Sequence, residues 1–100
     1  MKNIELGEVY TLKLSSGEEV IGKIVGVDDG TIEISHPLSV APNHQGMGLM
    51  PSMFTAEQDK NITLNTNMVT MYAVTADQVR IKYIEATTGI TTASKKIVLG

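Results

Sequence analysis

The stretch VYTLKLSSGEEVIGKIVGVDDGTIEISHPL, residues 9–38, decides the architecture. In its first six residues Tyr10, Leu12 and Leu14 fall on one parity and Thr11 and Lys13 on the other, the pattern of a strand with one buried face. Ser15, Ser16 and Gly17 supply turn chemistry, and Glu19 to Val27, β-branched and apolar on both parities, predicts a long second strand. Gly22 and Gly26 interrupt that strand, which marks bulges, bends or the close approach of another backbone. Asp28, Asp29 and Gly30 form the next turn, and Ile32, Ile34 and Leu38 then alternate against Thr31, Glu33 and Ser35 in a third strand ending near Pro37 to Val40. Sharp bending of this kind is what a small barrel needs.

Outward from this hairpin, Ala41 to Gly48 holds Pro42, two glycines, Asn43, His44 and Gln45, and reads as a projecting loop. Leu49 to Phe54 reads as an extra short strand, and Thr55 to Gln58 stays loop because one helical turn is too short to stand alone. Ile62 to Leu64 and Met68 to Val74 look extended, the second apolar on both faces. After a break at Thr75 to Gln78, Val79 to Ile84 predicts the last core strand, with Val79, Ile81 and Tyr83 inward and Arg80 and Lys82 outward. The threonine-rich remainder reads as a loose tail over residues 85–100. The expectation is one all-β domain over residues 1–100 with its core at about 9–84.

A chain of 100 residues buries only a modest core, so oligomerisation is a natural source of further burial. The absence of cysteine removes disulfides, thiol nucleophiles and cysteine zinc sites and agrees with a reducing cytoplasm. The first eight residues contain no signal-like pattern and no bilayer-crossing run, so a cytoplasmic protein without a membrane partner is expected. Eight basic against eleven acidic residues, net −3, argue against tight phosphate binding. A local basic face repeated around a symmetry axis would still add its fields.

Leu12, Leu14, Gly17, Val20, Gly22, Ile24 and Asp28 fall at the spacing of the first signature motif of Sm and Sm-like proteins, and Gly17, Gly22 and Asp28 carry the discriminating content. The segment Ala73 to Tyr83 is similar in shape to the second motif, with Thr75 and Ala76 where the family carries Arg-Gly, and Ile32 or a neighbour where the first motif carries its Asn. The chain thus resembles the Sm-like family over about two thirds of its length, and its long middle insertion is similar to that of marine phage members. The resemblance implies a strongly bent, five-stranded antiparallel barrel, closed into a ring of five to seven subunits by pairing the fourth strand of one copy with the fifth of the next. It also implies single-stranded RNA or DNA as ligand, read near the Asp turn.

The residues supply candidates of their own. Asp28 and Asp29 before Gly30 read as a hairpin turn rather than a carboxylate pair. His36, ahead of Pro37, reads as a bonded structural residue, while Asn43 and His44 sit where a loop meets either solvent or a base. Met47, Met50 and Met53 recur every third residue, but Pro51 opposes a helix, so they read as adaptable packing. Arg80 and Lys82 share a strand face that fits phosphate contact or plain solvation. The nucleic-acid set is Asp28, Asn43, His44, Arg80 and Lys82; the subunit-interface set is Met68, Val69, Met71, Tyr72, Val79, Ile81 and Tyr83. No catalytic constellation, metal site or cofactor is expected: the chain reads as a binder, with a purely structural or protein-interaction ring as the rival and a monomeric barrel module as the third reading.

Overall fold

The computed structural model describes residues 1–88. Six strands form one antiparallel sheet: β1 (Val9–Leu14), β2 (Glu19–Asp28), β3 (Thr31–Asn43), β4 (Gly46–Pro51), β5 (Ile62–Asn65) and β6 (Val69–Val74). A 3-10 turn, Thr66–Met68, joins β5 to β6, and one helix, α1 (Asp77–Thr88), follows. The strand order is β4-β3-β2-β1-β6, with β5 also on β3. The far edge of β3 is therefore shared, β5 taking Thr31 to Ile34 and β4 taking Leu38 to Asn43. Among the described residues the sheet has six strands and does not close on itself, so the all-β class holds and the closed five-stranded barrel is not seen.

The two turns of the hairpin form as their residues dictate. Gly17, at φ +93°, lets its amide reach the Leu14 carbonyl at 2.9 Å, while Gly30 adopts φ +84° behind an Asp28 carboxylate that accepts the Asp29 amide at 2.8 Å. The pairing of β2 with β3 slips between Ile21 and Lys23 and again between Ile24 and Gly26, so the glycines do mark the bends. At Gly22 there is no room for a side chain, because a Cβ would run into the γ-methyl of Ile34. The strand on the other side is bent at His36, which lies at φ +51° with its Nδ1 2.9 Å from the Ser35 hydroxyl.

Bending gives the sheet two apolar faces. Tyr10, Leu12, Ile24, Ile32 and Ile34 form the inner cluster, covered by Met1, Ile4, Leu14, Leu64 and Val69. Val9, Ile21 and Tyr83 form the outer one with Leu38, Val40, Leu49, Val79 and Ile84. The period of two puts Val9 on one face and Tyr10 and Leu12 on the other, and each buried side chain of this size contributes about 1.5–3 kcal/mol.

Three expectations are corrected. Val79 to Ile84 is helix, not strand, and Glu85 to Thr88, expected in a loose tail, completes that helix; the rest of that tail lies outside the described residues. The helix wins because it brings the adjacent Tyr83 and Ile84 together with Val79 onto the outer cluster, where a strand would send Tyr83 and Ile84 to opposite faces, and the Ala76 carbonyl accepts the Arg80 amide at 2.8 Å. The middle segment is a hairpin, not a loop: β3 runs on through Pro42 to Asn43, whose Oδ1 accepts the Gln45 amide at 2.8 Å, and Gly46 turns at φ +120°. Pro42 is tolerated because β2 pairs with β3 only as far as Ser39, so that although β4 runs along its other side no strand on the β2 side misses its N–H. Pro51 ends the edge strand β4, a position where a missing donor blunts further pairing.

Candidate nucleic-acid interface

Two turns meet at one end of β3. Asn65 pairs with Thr31, and the Thr66 amide donates to the Gly30 carbonyl at 3.0 Å, so the β2–β3 turn and the β5–β6 turn are tied together. Beside them a hollow of about 280 Å³ is lined by Gly26, Val27, Asp28, Thr31, Glu33 and Thr63. Its charged members, Asp28 and Glu33, are both acidic, and Asp28 already spends one carboxylate oxygen on its own turn. Such a lining repels phosphate. Ile32, next to Thr31 in the lining, is 1% exposed in the inner cluster and has no route to a ligand.

The sequence reading missed Asn65, Thr66 and Asn67 at this junction. Ala73 to Tyr83, expected as strand, turn and strand, is the end of β6 followed by α1, and the strand–turn–strand of this half of the chain is Ile62 to Val74. The signal was present: Asn-Thr-Asn between the alternating pair Ile62, Leu64 and the run from Val69 is turn composition.

The other candidates gather at the opposite end of the thirteen-residue strand β3. Asn43 holds the hairpin tip through its hydrogen bond to Gln45, and His44 is exposed beside it. Arg80 sits 3.7 Å from Asp77 in a surface pair worth little, while Lys82 is exposed. Hairpin and helix border a shared hollow of about 200 Å³ lined by Gln45, Met47, Leu49, Gln78, Val79 and Lys82. The structure therefore brings the elements carrying Asn43, His44, Arg80 and Lys82 to one region and leaves Asp28 at the far end of β3.

The interface candidates divide in the same way. Met68, Met71 and Tyr72 are exposed on or next to β6, joined by Val74 at 63%, while Val69 is half-buried against the inner cluster. The Tyr72 hydroxyl accepts the Lys2 amide at 2.7 Å and donates to the Lys2 carbonyl at 3.1 Å, fastening the N-terminal segment to this strand. Val79, Ile81 and Tyr83 are helical instead, and Tyr83, only 2% exposed, is packed inside its own chain. Burial raises the Tyr83 phenol above its ordinary pKa of 10.0, and the hydrogen bond from the Lys23 amide pulls the other way.

Among the described residues no group of three or more His, Asp or Glu side chains is arranged to hold a metal ion, and no helix is long and apolar enough to cross a membrane. Compared with known proteins, the chain matches no protein-family model and no curated protein.

Proposed function

We propose that this chain is a subunit of an Sm-like, homo-oligomeric ring that binds single-stranded RNA or DNA. The observation that carries the reading is β6. It pairs with β1 on one side and with no described strand on the other, yet Met71 is 66% and Val74 63% exposed on it. An unpaired, apolar edge is a strong hazard for aggregation unless another copy covers it. The outer edge of β5 is likewise unpaired among the described residues, and β5 and β6 are the strands flanking the Thr66–Met68 turn. In Sm-like rings the strand before that turn pairs with the strand after it in the next subunit, which here joins β5 of one copy to β6 of its neighbour. Closure of that head-to-tail contact leaves neither of these two edges free.

Light scattering on a sizing column is the direct test. The expected mass is five to seven times the 10.8 kDa of one chain, and the double variant Met71→Lys/Val74→Lys is expected to elute at the mass of one, since lysine on an edge strand blocks pairing. A wild-type chain that stays monomeric at high concentration ends the ring reading in favour of a monomeric barrel module. Binding is read by fluorescence anisotropy with short U-rich and A-rich oligonucleotides, with affinity expected to fall as salt rises.

A protein-interaction ring is the second reading, and one observation favours it. The chain carries eight basic against eleven acidic side chains, a net charge of −3 that works against phosphate binding. Ring assembly with no oligonucleotide binding at low salt would establish it over the first.

A further inference from the structure

We infer that the hollow between the β3–β4 hairpin and α1 holds one nucleotide of a bound single strand, with the base against Met47, Leu49 and Val79 and the phosphate on Lys82. The inference rests on the nucleic-acid reading and deepens it by moving the contact away from the two-turn junction.

Size and chemistry agree. A cavity of about 150 Å³ accommodates benzene, so a hollow of about 200 Å³ has room for a planar base. Its apolar floor is partly unspent, since Met47 is 62% exposed, and a polarizable thioether packs well on the face of an aromatic ring. Gln45 from the hairpin tip and Gln78 from the first turn of α1 each offer an amide that both donates and accepts, which is what reading a base edge requires. Lys82 supplies a cation that makes no salt bridge with a described residue. Of the acids on the same helix, Asp77 faces Arg80 and Glu85 stands outside the lining. The two-turn junction differs in the decisive respect: its charged lining residues are carboxylates. Of the two hollows, only the one at the hairpin and helix combines a cation, paired amides and an apolar floor.

Methionine methyl groups report the two places separately, because Met47 lines the hairpin–helix hollow and Met68 ends the turn at the junction. Full-length protein with labelled methionine methyls is titrated with rU6, rA6 and dT6. A shift of Met47 with Met68 unmoved is expected, together with a loss of about tenfold in affinity and of about one unit in the salt slope for Lys82→Glu. Gln78→Ala is expected to change the preference among the three oligonucleotides and leave the salt slope alone. If the oligonucleotides bind but Met68 shifts, or Lys82→Glu binds like wild type, this placement is wrong and the nucleic-acid reading stands. If none of the three binds at low salt, the nucleic-acid reading itself fails. RNA against DNA of matched sequence shows whether the 2′-hydroxyl is sensed.

Discussion

Gly22→Ala is expected to lower the unfolding free energy by about 3 kcal/mol, the upper end of what overpacking a core usually costs. The new methyl meets Ile34, itself 2% exposed, and the Pro37 backbone stands 3.5 Å away behind it, so neither neighbour can retreat into solvent. Room can be made only by shifting β3 close to His36, which already lies at φ +51°. Urea denaturation measures the loss, and a change under about 0.5 kcal/mol would show that the strands separate freely. The pair Gly22 and Ile34 can also be tested as a cycle. Ile34→Ala alone should cost about 2–5 kcal/mol by leaving a cavity, but it deletes the methyl that the alanine strikes. The double variant should therefore be more stable than the sum of the single losses predicts, by more than about 1 kcal/mol. A purely additive result would place the strain elsewhere.

This contact explains why the hairpin was so legible. Its turns are set by Gly17, Gly30 and the Asp28 carboxylate, and its bends by glycines whose neighbours are close in sequence, so local chemistry decides. What lies C-terminal to it was decided at long range. Val79, Ile81 and Tyr83 are good strand formers, and a spacing of four places Val79 and Tyr83 on one face under either period. Asp77 in the first turn was the residue that favoured helix, a weak signal beside three β-formers. The docking of Tyr83 against β2 and β3, some fifty to sixty positions away, settled it. Pro42 and the two glycines misled in the same fashion, since their cost to a strand depends on whether a neighbouring strand lies beside them. Of the candidate site residues, Lys82 kept its exposure and Arg80 is half-buried, both on a helix rather than a strand, and no spacing in the sequence announced that Gln45 and Gln78 would border one hollow.

Tyr83 is where the second large effect is expected. Its hydroxyl donates to the Ser35 carbonyl at 2.6 Å and accepts the Lys23 amide at 3.2 Å, two backbone groups beside the slip in β2 and the bend in β3. Tyr83→Phe leaves both groups short of a partner in a buried setting and should cost about 1–3 kcal/mol; Tyr83→Ala also removes the ring from the outer cluster and should cost about 3–5 kcal/mol. A pH series separates the hydroxyl from the ring. Because burial favours the neutral phenol, its pKa in the fold lies above the 10.0 of the unfolded chain. Its contribution is thus complete below that value and is lost as pH rises through the folded pKa, since the unfolded chain releases the proton first. Wild type should be clearly more stable than Tyr83→Phe at about pH 8, and its advantage should shrink steadily above about pH 10, as urea midpoints will show. Two parallel curves would mean that the phenol does not titrate with folding. The same variants bear on the proposed nucleotide site, because Val79 and Lys82 are held over the hairpin only while α1 is docked. Tyr83→Ala should therefore weaken oligonucleotide binding about as much as Lys82→Glu does, but leave the salt slope unchanged, since it displaces the cation's platform and removes no charge.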